Sequence, residues 1–179
     1  MGVVKKIDID GKEVLFKASA AIPRIYRLRF GRDIYRDLSL LDKAIKGNDP
    51  DNSNLGNLSL EIFENIAYIM AKHADGSIPE TVEEWLDEFN TFSIYQVLPE
   101  IIKLWGFNSE TQIEAKKKLK HTEREMSTPL FMLRCVELGI SISELELLTV
   151  GLVNDMYTEK NNDEYDYPIM ASQEDFDRF

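Results

Sequence analysis

The sequence predicts a mainly α-helical protein: a multi-helix bundle with an N-terminal β-hairpin, a C-terminal helical hairpin and an acidic tail. Three observations carry this. Apolar residues recur at spacings of three and four through most of the chain, the period of a helix face. The strong hairpin signal is Asp10-Gly11, with Ile7 and Ile9 before it and Val14 and Phe16 after it. Residues 127–179 hold 3 Lys+Arg against 11 Asp+Glu, whereas residues 1–126 hold 18 against 21.

The elements follow in order. Asp10-Gly11 suits a two-residue turn because both positions need positive φ, and it places Ile7, Ile9, Val14 and Phe16 on one face. Two strands are marginal alone, so they are expected to lie on the next helix. That helix starts at Pro23, a residue suited to a first helical position, and Tyr26, Phe30, Ile34, Leu38, Leu41 and Ile45 extend one stripe along it, the longest helical pattern in the chain. Residues 47–57 are loop by composition. Placed on a calcium loop, Asp49, Asp51 and Ser53 fit, but the sixth position is Asn54 instead of Gly and the twelfth is Leu60 instead of Glu.

A helix over about 59–74 buries Ile62, Phe63, Ile66, Ile69 and Met70. Thr81-Val82-Glu83-Glu84 is a capping box that opens a short helix through Trp85, Leu86 and Phe89. The next helix spans 94–105, is kinked or split by Pro99 and is closed by Gly106. Residues 109–126 lose the apolar pattern and carry Lys116-Lys117-Lys118, Lys120 and Arg124 among glutamates, which predicts a solvated helix or helical linker. The chain therefore divides into a body over 1–108, a charged linker over 109–126 and an acidic segment over 127–179. In that segment Thr128-Pro129 starts a helix that ends at Gly139. Ser143 caps another running to about Lys160, with Glu146 completing the box and Ile142 and Leu147 as its staple.

Composition narrows the chemistry. With 179 residues, 44% hydrophobic and 30% charged, the chain can build a core; a domain of this size buries about 70% of the surface its unfolded chain exposes. No apolar run approaches the roughly 20 residues of a membrane span, and no signal peptide is seen. Cys135, the sole cysteine, excludes an internal disulfide and reads as core filler. His73 and His121 lack a cysteine, serine or second histidine at ligand or triad spacing, and neither G-x-G-x-x-G nor G-x-x-x-x-G-K-[ST] is present. No enzyme, metal or cofactor is expected.

Two features imitate nucleic-acid binding. Arg24, Arg27, Arg29, Arg32 and Arg36 cluster with Tyr26, Phe30 and Tyr35, but Asp33 and Asp37 lie within helical reach. A solvated face, a protein-binding face and a nucleic-acid surface are the readings, in that order. Residues 133–148 resemble a helix-turn-helix, yet Glu144, Glu146, Asp155 and Glu159 would face phosphate with the wrong sign, and the formal net charge is −11.

Longer strings carry a resemblance. Arg134-Cys135-Val136-Glu137-Leu138-Gly139-Ile140-Ser141, Leu147 to Met156, Glu159-Lys160-Asn161-Asn162-Asp163 and Ala171 to Phe179 resemble the downstream part of tail assembly chaperones of long-tailed bacteriophages and prophages. Pro23 to Ile34 and Glu84-Trp85-Leu86-Asp87-Glu88-Phe89 look like blocks of the upstream segment. The resemblance implies the long form, an upstream segment plus a frameshift-type downstream segment joined near residues 116–126. It also implies a role: coating the aggregation-prone tape measure protein and helping recruit tail tube protein subunits. The expected place is the bacterial host cytoplasm and not the mature virion, with self-association plausible and no nucleic acid or membrane partner. Under this reading Arg24, Tyr26, Arg27, Phe30, Trp85 and Trp105 belong to the client-binding body, and Tyr165, Tyr167, Phe176 and Phe179 to the docking segment. The alternatives are a structural tail component kept in the virion and a small phage nucleic-acid-binding regulator.

Overall fold

Asp10 and Gly11 adopt φ of 54° and 76°, the pair of positive angles that a two-residue hairpin turn demands. In the computed structural model, which describes residues 2–45, 55–115 and 125–163, the turn joins β1 (Val3–Ile9) to β2 (Lys12–Ala18). The antiparallel register pairs Ile7 with Val14 and Lys5 with Phe16. Seven α-helices follow among the described residues: α1 (Ile22–Phe30), α2 (Ile34–Ile45), α3 (Leu55–Ala74), α4 (Val82–Leu86), α5 (Ile94–Ser109), α6 (Thr128–Glu137) and α7 (Val150–Asp163). The protein is mainly helical with an N-terminal hairpin, as the sequence predicts.

The hairpin does not lie on the helix that follows it. Ile7, Ile9, Phe16 and Ala18 are buried against α3 and α5. The reason is α3, whose Ile62, Phe63, Ile66, Ala67, Tyr68, Ile69, Met70 and Ala71 are all buried. A helix apolar on most of its circumference packs on several sides at once, so α3 serves the sheet together with α1 and α2. Trp85 on α4 closes the end of this core, its ring 5.3–6.4 Å from those of Phe16, Tyr68, Phe89 and Phe92. The contacts to Phe16, Tyr68, Phe89 and Phe92 are edge-on, a geometry that contributes about 0.5–1.5 kcal/mol per pair beyond area burial. Thr81 Oγ1 accepts the Glu84 N–H at 3.2 Å, so the Thr81 half of the predicted capping box forms, and α4 ends at Leu86, short of Phe89.

Several boundaries differ from expectation. The predicted single helix from Pro23 to Ile45 is two helices, because Gly31 takes φ 67° and ends α1 with its N–H on the Arg27 carbonyl. Asp33 then starts α2, its Oδ1 accepting the Tyr35 N–H. Pro99 neither splits nor ends α5, which runs on through Gly106 to Ser109. Residues 110–115, expected to be helical, are not; Glu110 turns to an extended conformation. The lysine run at 116–118, with Lys120, His121 and Arg124, lies outside the described residues, as does the 47–54 part of the loop that does not fit the calcium-loop pattern.

The Ser143 cap is the largest correction. Ser143 has helical φ and ψ and makes no cap hydrogen bond; a 3₁₀ turn, Glu144–Glu146, forms instead, with Glu144 Oε2 accepting the Ser141 N–H. α7 starts only at Val150, capped by Thr149 Oγ1 on the Leu152 N–H. Tertiary structure decides this: the Leu148 carbonyl accepts the Ala20 N–H at 2.8 Å, a bond that a continuous helix would divert to its own backbone. Ile142 and Leu147, the expected staple, are exposed.

Residues 125–163 pack on the body. Ala20, Ala21, Phe131, Cys135, Leu145, Val150 and Val153 form a second core, and Ile25, Tyr35 and Trp105 pack against both cores. Buried Asn108 bridges the two, donating to the Ser19 carbonyl and accepting from the Val150 N–H. Residues 110–115 run along one face of α7. There the Asp155 carboxylate accepts the Gln112 and Ile113 N–H groups at 3.0 Å, and Asn162 donates to the Glu114 carbonyl at 3.1 Å.

Candidate interaction surface

α1 turns one face inward and another to solvent. Inward, buried Tyr26 donates its hydroxyl to Asp37 Oδ2 at 2.6 Å, and Arg32 makes a two-pronged bond to the same carboxylate at 2.7 Å. Burial first, and Asp37 second, push the Tyr26 phenol far above its ordinary range. Outward, Leu28 is 71% exposed on the rim of an open groove of about 330 Å³, lined by Arg24, Ile25, Leu28 and Arg29 of α1 and Tyr68, Ile69 and Lys72 of α3, with Glu80 beyond. The groove forms because Arg24 and Leu28, and Ile25 and Arg29, are each one helical turn apart and so build one wall.

The charges on this rim are not equivalent. Lys72 Nζ is occupied by the Gly76 and Ile78 carbonyls and by Glu80 Oε1 at 2.8 Å. Arg29 stacks over the Tyr68 ring, 5.9 Å from its centroid. Neither Arg24 nor Arg29 has an ion-pair partner among the described residues. On the far side of Arg29 a separate pocket holds Glu61, Glu64 and Glu83, and burial followed by Glu61 and Glu83 raises the Glu64 carboxyl above its ordinary range. Arg24 is thus the cation least balanced by neighbours.

The residues singled out from sequence scatter over several environments. Arg24 is half-buried on the groove wall, while Arg27 is exposed and 3.6 Å from Asp33. Phe30 is half-buried between Tyr26 and Tyr68, and Trp105 is half-buried against Tyr35. Tyr26 and Trp85 are core, so neither ring offers a contact surface. Tyr165, Tyr167, Phe176 and Phe179 lie outside the described residues. Sequence reading marked Arg29 within the arginine cluster but missed Leu28, Tyr68 and Ile69 as groove residues. The available signal was Leu28, an apolar residue out of phase with the Tyr26–Phe30 stripe.

Further apolar side chains are exposed on the acidic segment: Leu133 and Val136 of α6, Leu152 and Met156 of α7, and Ile142 and Leu147 between them. Their spacing of three on α6 and four on α7 marks one outward stripe on each helix.

The fold does bring a serine to His73. Ser19 Oγ, 54 residues away in sequence, accepts the Ala21 N–H and lies 2.9 Å from His73 Nε2. Ser19 is fully buried, so the pair is a structural hydrogen bond rather than an exposed nucleophile. Burial, then the Lys17 charge, hold the imidazole below its ordinary pKa. Cys135 is likewise buried, its thiol pushed up to about 11. Among the described residues no three His, Cys, Asp or Glu side chains are grouped to hold a metal ion, and no helix is long and apolar enough to cross a membrane.

Comparison of the chain with protein-family models, with curated proteins and with solved structures finds no match.

Proposed function

We propose that this chain is a phage tail assembly chaperone that binds the tape measure protein, keeps it soluble and helps recruit tail tube protein in the bacterial host cytoplasm. The sequence blocks at Pro23 to Ile34, Glu84 to Phe89 and Arg134 onward motivate the reading. The single structural observation that supports it is the exposed apolar groove beside Leu28 on a chain of net charge −11. A long helical client with an apolar stripe needs such a surface on an otherwise well-solvated body.

The test is co-expression with the tape measure protein encoded nearby, scoring its solubility and co-purification. A soluble complex that survives salt supports the role. A tape measure protein that stays insoluble and unbound beside folded chain overturns it. Mass spectrometry of purified virions separates the chaperone from a retained tail component, since a chaperone is expected to be missing there.

A further inference from the structure

We infer that the groove between α1 and α3 is a peptide-docking site for an acidic amphipathic segment of another protein, which seats an aliphatic or aromatic side chain beside Leu28 and a carboxylate on Arg24. This deepens the chaperone reading, and rests on it only for the identity of the protein that carries the segment. The uncharged part of the lining is apolar: Ile25, Ile69 and the Tyr68 ring, with Leu28 on the rim. The Tyr68 hydroxyl is turned away onto the Pro79 carbonyl, so it does not crown the groove with an unmet polar group.

Charge decides what flanks the apolar anchor. Of the cations on the rim, Lys72 has its three protons engaged, whereas Arg24 has no carboxylate partner among the described residues. Arg29 lies about one and a half turns further along α1, roughly 7.5 Å at the rise of a helix. It separates the groove from the acidic pocket of Glu61, Glu64 and Glu83. A carboxylate on the segment near Arg24 therefore meets uncompensated positive charge, while a cation there meets like charge. Placed toward the Glu64 end, the same cation is favoured. Complementarity of this kind sets partner choice more than raw affinity.

The experiment uses the full chain and two blocked peptides that share one leucine stripe at helical spacing and differ only in carrying Glu or Lys beside it. Binding is read by fluorescence anisotropy at low salt. The Glu peptide is expected to bind at least about tenfold tighter than the Lys peptide, with the preference shrinking as salt rises. In Arg24→Glu/Arg29→Glu the preference is expected to vanish or reverse, and in Leu28→Asp both peptides are expected to lose binding. Arg24→Gln, which removes the charge without reversing it, is expected to reduce the preference, and matching thermal melts of all the variants control for folding. Equal binding of both peptides, no binding of either, or a preference untouched by the double reversal overturns the assignment. Peptides that dock through the groove while the tape measure protein stays insoluble would retain the site and remove the chaperone reading. A charge-reversed chain that still solubilises the tape measure protein would do the opposite.

Discussion

A β-carbon added to Gly151 would stand 1.7 Å from the carbonyl oxygen of Glu110. The Glu110 backbone lies directly on the first turn of α7, and this position has no space for a methyl group. Because the obstacle is main chain, relief requires the whole extended segment to lift.

Gly151→Ala is expected to destabilise the protein by about 1–3 kcal/mol or more, as overpacking in a tight contact does. Gly106→Ala is the matching control. Gly106 sits inside α5 with nothing within 4 Å of its would-be β-carbon, so the same substitution is expected to stabilise by about 0.4–1 kcal/mol. Urea midpoints for both variants check the pair; a Gly151→Ala protein as stable as the parent would contradict the contact.

Asp155 holds the same segment from the next turn of α7 through the Gln112 and Ile113 amides. Asp155→Ala is expected to cost about 1–3 kcal/mol by leaving both donors without their acceptor. It should also raise hydrogen exchange at those two amides before exchange rises in α3. Uniform exchange across the chain would argue against a local clasp.

Asp37 is the junction between α1 and α2: it accepts from both Tyr26 and Arg32. Asp37→Ala strands a buried hydroxyl and a guanidinium, and because Arg32 is about a third exposed the loss is set at about 2–3 kcal/mol rather than the full cost of a buried pair. A thermal melt measures it, and Asp37→Asn is expected to recover part of the loss through its remaining acceptor.

The Ser19–His73 pair makes stability depend on pH. Burial lowers the folded-state pKa of His73 below the unfolded value, so the unfolded chain binds the extra proton more readily. Stability from this group is complete above about pH 6.5, the ordinary histidine value, and is lost as pH falls through the lower folded value. The carboxylates of Glu80 and Glu144, held low by Lys72 and by the Ser141 hydroxyl, contribute in the same direction but in a more acidic window. Melting temperatures between pH 5 and pH 8 are expected to flatten in His73→Gln; an unchanged slope would exclude His73 as its source.

Local grammar was readable where local forces decide. The Asp10-Gly11 turn, the Thr81 cap and the Pro129 helix start all form. Gly31-Arg32-Asp33 was legible too, as a helix-ending glycine followed by a helix-starting aspartate, but the continuous stripe from Tyr26 to Ile45 obscured it. The Ser143 box failed for a different reason: the Leu148 carbonyl is claimed by Ala20, from the other end of the chain, and no local pattern reveals that. Nothing local marks Asp155 or Asn162 as anchors, yet both secure the backbone of residues 110–115. The groove was half legible: the arginines stood out, while Tyr68 and Ile69 joined them only through the packing of α3.

Ile25, Tyr35 and Trp105 press on both cores, and this has a consequence for how the molecule comes apart. Side chains shared in this way couple the melting of one core to that of the other, so heating should give a single transition whose calorimetric and van't Hoff enthalpies agree. By the same coupling, a chain cut at residue 115 would leave a raw apolar edge along Ala20, Ala21, Ile25 and Tyr35. Such a fragment would seek the missing half in another molecule, so mixing it with a separately made 125–179 fragment offers a route to reassembly in trans.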